Sequence, residues 1–261
     1  MDLGISGKTA LVLGGGGGLG GAIARELAAE GAKVAVADIS PEYAQKTADE
    51  INGTGGVAQA FTWDLADLSQ IAPQVEAIEK SLGPVEILVN NTGGPAPSPV
   101  SGQSTQLWAD QFQAMVLSVV ALTDRILPGM RERGWGRIVT STSSGVISPI
   151  PNLGLSNALR STLLGWSKTL AAEVGRDGIT SNIVLPGRVA TGRIKFLDEA
   201  KAKRENRPVD EVTAESVSSI PVGRYGEPEE YGKVVTFLAS QAASYVTGSV
   251  IRIDGGYVSS I

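Results

Sequence analysis

Five consecutive glycines and a sixth two residues on, Gly14-Gly15-Gly16-Gly17-Gly18-Leu19-Gly20, stand between the apolar run Leu11-Val12-Leu13 and the helix-forming Ala22-Ile23-Ala24. Glycine reaches backbone conformations closed to other residues, so such a run between a strand and a helix makes a tight turn. A helix that opens on that turn directs free N–H groups and the positive end of its dipole outwards, which is the arrangement that holds a phosphate. A flexible glycine loop is the plainer alternative, and the strand before and helix after argue against it.

Short β-rich runs alternate with longer helical ones along the whole chain, the pattern of an α/β fold whose parallel sheet is covered by helices on both faces. The strand candidates are Thr9–Leu13, Lys33–Ala37, Val57–Thr62, Glu86–Val89, Arg137–Ser141, Thr180–Leu185 and Val250–Ile253. Most are continuously apolar, as strands buried on both faces should be. Helical periodicity runs over Leu19–Glu30, Pro41–Ile51, Ser104–Arg133 and Leu153–Gly175. Residues 187–221, with the lid proper at about 188–220, are charged and weakly periodic, and we read them as a mobile lid with one or two short helices. Residues 1–261 then form a single Rossmann-type, doubly wound domain.

With 22 basic and 27 acidic residues and a formal charge of -5, the chain lacks the basic footprint of a nucleic-acid or anionic-membrane binder. A small-molecule partner fits better. No stretch reads as a membrane span or a secretory leader, so a cytoplasmic location is expected. The chain has no Cys and no His. Thiolate nucleophiles, Ser-His pairs and His- or Cys-based metal sites are therefore excluded, no metal is expected, and a proton must move through Tyr, Lys, a carboxyl group, water or the substrate.

Asp38 ends the second strand, about 20 residues beyond the turn, where a carboxylate accepts hydrogen bonds from an adenosine ribose. Neither Gly17 nor Ile39 offers the cation that a 2′-phosphate would need, so the cofactor is read as NAD. A helix-capping carboxylate is the alternative for Asp38. At this point the chain resembles the short-chain dehydrogenase/reductase family from Gly7 to Tyr257. Leu13 to Gly20, with Gly14, Gly18, Leu19 and Gly20 in the glycine positions and their spacer, match its Thr-Gly-x-x-x-Gly-x-Gly turn except for Leu13. Asp64-Leu65 resembles the pair that contacts adenine, and Asn90-Asn91-Thr92-Gly93 resembles Asn-Asn-Ala-Gly after the fourth strand. Pro186-Gly187 and Val189, with Thr191, resemble the Pro-Gly-x-x-x-Thr segment along the nicotinamide. Gly223–Glu230 and Gly248–Gly256 are similar to its C-terminal segments, and the 3-oxoacyl-acyl carrier protein reductase-like branch is the nearest in appearance.

The resemblance implies strand order 3-2-1-4-5-6-7, a homodimer or homotetramer, and an active site of Ser, Tyr-x-x-x-Lys and Asn. Ser143 falls at the Ser position, although Ser141 and Ser144 are neighbours of the same chemistry. The Tyr and Lys positions fall on Ser156 and Arg160, and Met115 falls where the Asn belongs. Serine is a much weaker acid than a phenol, while Arg160 keeps a permanent charge and donors for the nicotinamide ribose but cannot cycle a proton.

Three readings follow. One is an atypical NAD(H)-dependent oxidoreductase acting on a carbonyl or alcohol, with Ser143 and water, Lys195 or Glu199 supplying the proton. Another is a catalytically impaired NAD-binding protein with a regulatory or structural role; a third is different chemistry on the same fold. Arg188 and Arg193, at the start of the lid, are read either as ligands for a substrate carboxylate or phosphate or as solvated charges.

Overall fold

A computed structural model describes residues 2–261. Seven parallel strands form one sheet in the order 3-2-1-4-5-6-7: β1 Thr9–Leu13, β2 Lys33–Asp38, β3 Val57–Thr62, β4 Val85–Asn91, β5 Gly136–Ser141, β6 Ile179–Pro186 and β7 Val250–Ile253. This is the single Rossmann-like domain and the strand order expected from the sequence. Each strand found there differs from its sequence-read bounds by no more than two residues at an end.

The two-residue period of a strand builds the layers. Ala10 and Val12 of β1, with Val34 and Val36 of β2, join a core on one face; Leu11 and Leu13, with Ala35 and Ala37, join a second core on the other. The first core is closed by α1 Gly18–Ala29, α2 Pro41–Gly53 and, later in the chain, α9 Pro228–Leu238. The second is closed by α3 Ile71–Leu82, α5 Ser118–Arg133 and the C-terminal half of α6 Gly154–Val174. Burying both faces is why the strands read as unbroken apolar runs.

Local signals set the helix ends. Ser40 Oγ accepts from the Tyr43 N–H at 3.3 Å and Pro41 occupies the first turn of α2. Helices α3 and α9 are missing from the sequence reading. The signal for α9 was available, because Glu227 and Glu230 form a capping box before its apolar face and Pro228 opens it.

The run expected as one helix over Ser104–Arg133 is interrupted. Thr105–Phe112 is α4, Gln113–Leu117 is a π-helical turn and α5 follows without a break. The wider turn buries Met115 and Val116 against Leu159 and Leu163 of α6. Contrary to the sequence expectation, Thr105–Arg133 is long and apolar enough to cross a membrane; 44% of its most apolar window is buried inside the fold.

The expected lid contains two helices, α7 Gly192–Glu205 and α8 Val209–Ser218. It is tied down at its base: Arg188 Nη1 lies 2.8 Å from Asp198 Oδ1, and the Tyr225 hydroxyl donates to Asp198 Oδ2 at 2.6 Å. Burial, followed by the bond to Asp198, pushes the Tyr225 phenol up.

Candidate functional site

The chain runs β1 to β3 towards one edge of the sheet and β4 to β7 towards the other, so a crevice opens at the carboxyl ends of β1 and β4. Two adjoining clefts of about 300 Å³ and about 510 Å³ lie there, sharing Asp38, Asn91, Gly93 and Gly94.

The glycine turn forms their common wall. Gly14 and Gly18 have φ of +58° and +52°, which favour glycine, and a Cβ on Gly20 would overlap the Gly14 carbonyl oxygen. Asn91 braces the turn by donating from Nδ2 to the Leu13 carbonyl at 3.3 Å. Gly14 lines the smaller cleft and Gly18 and Leu19 line the larger one, whereas Gly20 is packed behind the turn. Gly17 differs from its neighbours: its φ of 176° is ordinary extended backbone, and a Cβ there would meet nothing within 4 Å.

Asp38, Asp64 and Leu65 border the smaller cleft. Asp38 Oδ2 accepts from the Gly16 N–H and Oδ1 from the Ser40 N–H, both at 3.0 Å. The carboxylate thus has a structural job in joining the turn to the next helix, while its remaining lone pairs face the cleft region. Among the described residues no Lys or Arg lines this cleft. Trp63, on its wall, is buried and leaves its indole N–H without a partner. A buried orphan donor beside a glycine cradle suits a heterocyclic, phosphate-bearing cofactor.

The larger cleft gathers residues far apart in sequence. Thr92 and Gly93 from the loop after β4, Ser143 after β5, Ser156 and Arg160 from α6, and Pro186, Gly187 and Val189 after β6 all line it. Ser143 Oγ accepts from the Gly145 N–H at 3.1 Å, leaving its own proton free to donate. Ser156 and Arg160 share a face of α6 one turn apart and are each 7% exposed.

Arg160 differs from the sequence expectation. Its Nη2 donates to the carbonyls of Thr92 at 3.0 Å and Gly93 at 2.7 Å, and its Nη1 lies 3.4 Å from Thr92 Oγ1 and from the Ser141 carbonyl. The donors that sequence reasoning reserved for a ribose thus hold the loop after β4; Nε alone stays uncommitted among the described residues. Burial lowers the guanidinium to about 10, with Tyr231 opposing and Arg193 reinforcing the shift, so the group is charged at neutral pH. Behind it, Ser141 Oγ and the Tyr231 hydroxyl are 2.8 Å apart, and burial pushes that phenol well up.

Lys195 and Glu199 are exposed on α7 and line neither cleft, so the structure does not bring these candidate proton donors to the site. Tyr257, which sequence reasoning missed, does line the larger cleft, as do Thr191 and Arg193. No signal local to Tyr257 marks it, because the turn after β7, where its N–H donates to the Asp254 carbonyl at 3.1 Å, brings it there. No group of three or more His, Cys, Asp or Glu suited to a metal occurs among the described residues.

A family profile described as enoyl-(acyl carrier protein) reductase matches residues 15–258. The 3-oxoacyl-[acyl-carrier-protein] reductases of Haemophilus influenzae and Escherichia coli K12 are each 34% identical, over 97% and 96% of this chain and 98% and 97% of their own length. Among solved structures, the L-sorbose reductase of Gluconobacter frateurii, complexed with NADPH and L-sorbose, superposes with a TM-score of 0.94 at 29% identity, covering all of both chains. A putative NAD(P)-dependent gluconate 5-dehydrogenase from Beutenbergia cavernae, also covered in full, gives 0.89 at 34%. Sequence match, strand order and a glycine-walled crevice at the β1/β4 switch agree: the chain belongs to the short-chain dehydrogenase/reductase family of oxidoreductases, in its 3-oxoacyl-[acyl-carrier-protein] reductase-like branch.

Proposed function

We propose that this chain is an NAD(H)-dependent short-chain oxidoreductase acting on a carbonyl or alcohol, with Ser156 and Arg160 where the family carries Tyr and Lys. One observation carries the reading: the glycine turn and the Ser143, Ser156 and Arg160 side chains border one continuous crevice.

A bound nicotinamide dinucleotide supplies or accepts a hydride in this chemistry. The chain's own groups divide the remaining work. The N-terminal amides of α1 receive a pyrophosphate, with Gly14, Gly18 and Gly20 allowing its close approach. Asp38 accepts from the ribose hydroxyls, Asp64 and Leu65 border the adenine, and Asn91, Thr92 and Gly93 with Pro186, Gly187 and Val189 flank the nicotinamide half. NAD is preferred over NADP because the Asp38 carboxylate faces the ribose and no cation lines that cleft. The NADPH and NADP named for the solved relatives come from chains that share only about a third of this sequence.

Ser143 donates to the substrate oxygen as charge builds on it. Arg160 positions the Thr92–Gly93 loop and keeps a fixed positive charge near the reacting centre. Ser156 lacks a phenol's acidity, and acid/base assistance is typically worth ~10²–10⁴-fold, so turnover on simple ketones is slow. The start of the 188–220 segment, from Arg188 to Leu197, lines the larger cleft. Family membership supports a homo-oligomer, and Phe237, Tyr245 and Val250 are exposed apolar residues available to a partner copy.

Fluorescence titration with NADH and NADPH, followed by turnover on carbonyls and alcohols, tests the reading. Tighter NADH binding with slow turnover supports it. Failure to bind either dinucleotide overturns it; NADH binding with no turnover on any substrate leaves a binding protein instead.

A further inference from the structure

The larger cleft is unbalanced in charge. Arg160 and Arg193 both reach the backbone at Gly94: the point that a Cβ on Gly94 would occupy lies 3.6 Å from Arg160 Nη2 and 3.5 Å from Arg193 Nη2. Neither guanidinium has a carboxylate within ion-pair distance among the described residues; desolvation lowers each below the usual arginine range, Arg160 further through its cationic neighbour, while Arg193 keeps an exposed edge. Two like charges facing one loop position in a partly desolvated cleft repel each other, and an anion between them removes the conflict.

The alternatives for these charges are filled or distant. Asp38 is the sole carboxylate lining the cleft among the described residues, and it is bound to the Gly16 and Ser40 amides beyond the glycine turn. Arg188, on the same wall, is already neutralised by Asp198 at 2.8 Å. Buried Arg137 provides a contrast. It too lacks a carboxylate, but it is surrounded by the Ser240, Gly136 and Gly178 carbonyls and stacks over Trp135 at 4.5 Å. Among the described residues Arg193 makes one hydrogen bond, from Nη2 to the Pro95 carbonyl at 2.9 Å, and its guanidinium lies 5.6 Å over the Phe196 ring; its other N–H donors are uncommitted and it lines the cleft. Ile150, Leu153, Ile194 and Leu197 supply an apolar wall near it.

We propose that the Gly94 corner of the cleft is a carboxylate subsite, so that the substrate is a small oxo acid or hydroxy acid: Arg193 donates to the carboxylate, and Arg160, fixed behind the loop, adds charge without moving. The inference rests on the oxidoreductase reading for the carbonyl or hydroxyl half of that substrate, and on the two arginines alone for the carboxylate half. The phosphate-holding turn lines the same cleft at Gly17 to Leu19, so the NADH titration of Arg193→Gln is what separates a substrate carboxylate from the pyrophosphate of a dinucleotide.

The test uses α-, β- and γ-oxo carboxylates paired with their methyl esters. NADH is titrated into the protein first, and each acid and ester is then titrated into the NADH complex. At least one acid is expected to bind about tenfold or more tightly than its ester, with a steep dependence on ionic strength. Arg193→Gln should abolish that preference while leaving the NADH titration unchanged, and Arg193→Lys should restore part of it. The subsite is overturned if no acid outbinds its ester, if the preference survives Arg193→Gln, or if Arg193→Gln weakens NADH itself, which would make Arg193 a cofactor-phosphate ligand. Thermal shifts with the acids and esters alone separate the two ideas. If no dinucleotide binds, the oxidoreductase reading fails, while an acid-specific shift that Arg193→Gln removes would still support the subsite and its absence would overturn it.

Discussion

Arg160 Nη2 lies 2.7 Å from the carbonyl oxygen of Gly93, so this buried cation holds the chain after β4 in place. Lys in its place has a single compact ammonium and cannot span the Thr92 and Gly93 carbonyls with a planar fork. Arg160→Lys is expected to lose about 1–3 kcal/mol of stability, read from urea unfolding, and to weaken dinucleotide binding as the loop loosens. Unchanged stability and affinity would show that these carbonyl bonds contribute nothing.

Within the glycine turn, two substitutions of the same size should diverge. Gly20→Ala drives its methyl into the Gly14 carbonyl and should cost about 1–3 kcal/mol together with most of the NADH affinity. Gly17→Ala has open space and an ordinary φ, so both quantities should stay near wild type. Thermal melts and NADH titrations of the two variants measure the contrast.

The freedom at Gly17 also makes cofactor preference testable. If Asp38 selects NAD as proposed, Gly17→Arg combined with Asp38→Ala should replace the repelling carboxylate with a cation and shift binding towards NADPH by about tenfold or more. Because Asp38 also accepts from the Gly16 and Ser40 amides, Asp38→Asn is the control that keeps hydrogen-bonding capacity while removing charge. Equal binding of both dinucleotides by the wild type would remove Asp38 as the discriminator.

If Ser156 and Arg160 hold the family's Tyr and Lys positions as proposed, Ser156→Tyr with Arg160→Lys rebuilds that pair on the same helix face. Turnover on a responsive carbonyl should rise by ~10²–10⁴-fold, with a new pH dependence from the phenol. Ser156→Tyr alone should gain part of this, since Arg160 already supplies a cation. No gain in either variant would place proton transfer elsewhere, and Tyr257 would then be the first residue to replace.

The lid helices carry a pH-dependent tie. Lys201, then Arg207, hold the Glu215 carboxyl at about 2, below its usual 4.5, at distances of 2.8 and 2.7 Å. A carboxyl depressed in the folded state contributes above its unfolded pKa and loses that contribution as pH falls through the folded value. The thermal midpoint of wild type should therefore drop towards that of Glu215→Gln as pH falls from about 5 to about 2. A constant gap across that window would show that the tie does not form in solution. The gap itself should be small, because the group is exposed.

The glycine turn was legible because its causes are local. Steric freedom at Gly14, Gly18 and Gly20, the strand before and the helix after are all contained within 16 residues, Thr9 to Ala24. The continuous apolar runs that marked the seven strands are also short-range signals, and both faces can be apolar because successive residues such as Ala10 and Leu11 enter opposite cores. The absence of His and Cys removed whole classes of chemistry before any folding was considered.

Tertiary structure alone decided what the charged side chains do, because their partners come from segments far along the chain. Packing of α6 against the loop after β4 turned Arg160 from an expected ribose ligand into a brace for Gly93, 67 residues away. Folding of α7 paired Arg188 with Asp198 and left Arg193, five residues further on, facing Gly94 without a carboxylate. Sequence periodicity fixes which face of an element is buried, whereas a long side chain takes whichever partner the packing of other elements brings within about 3 Å.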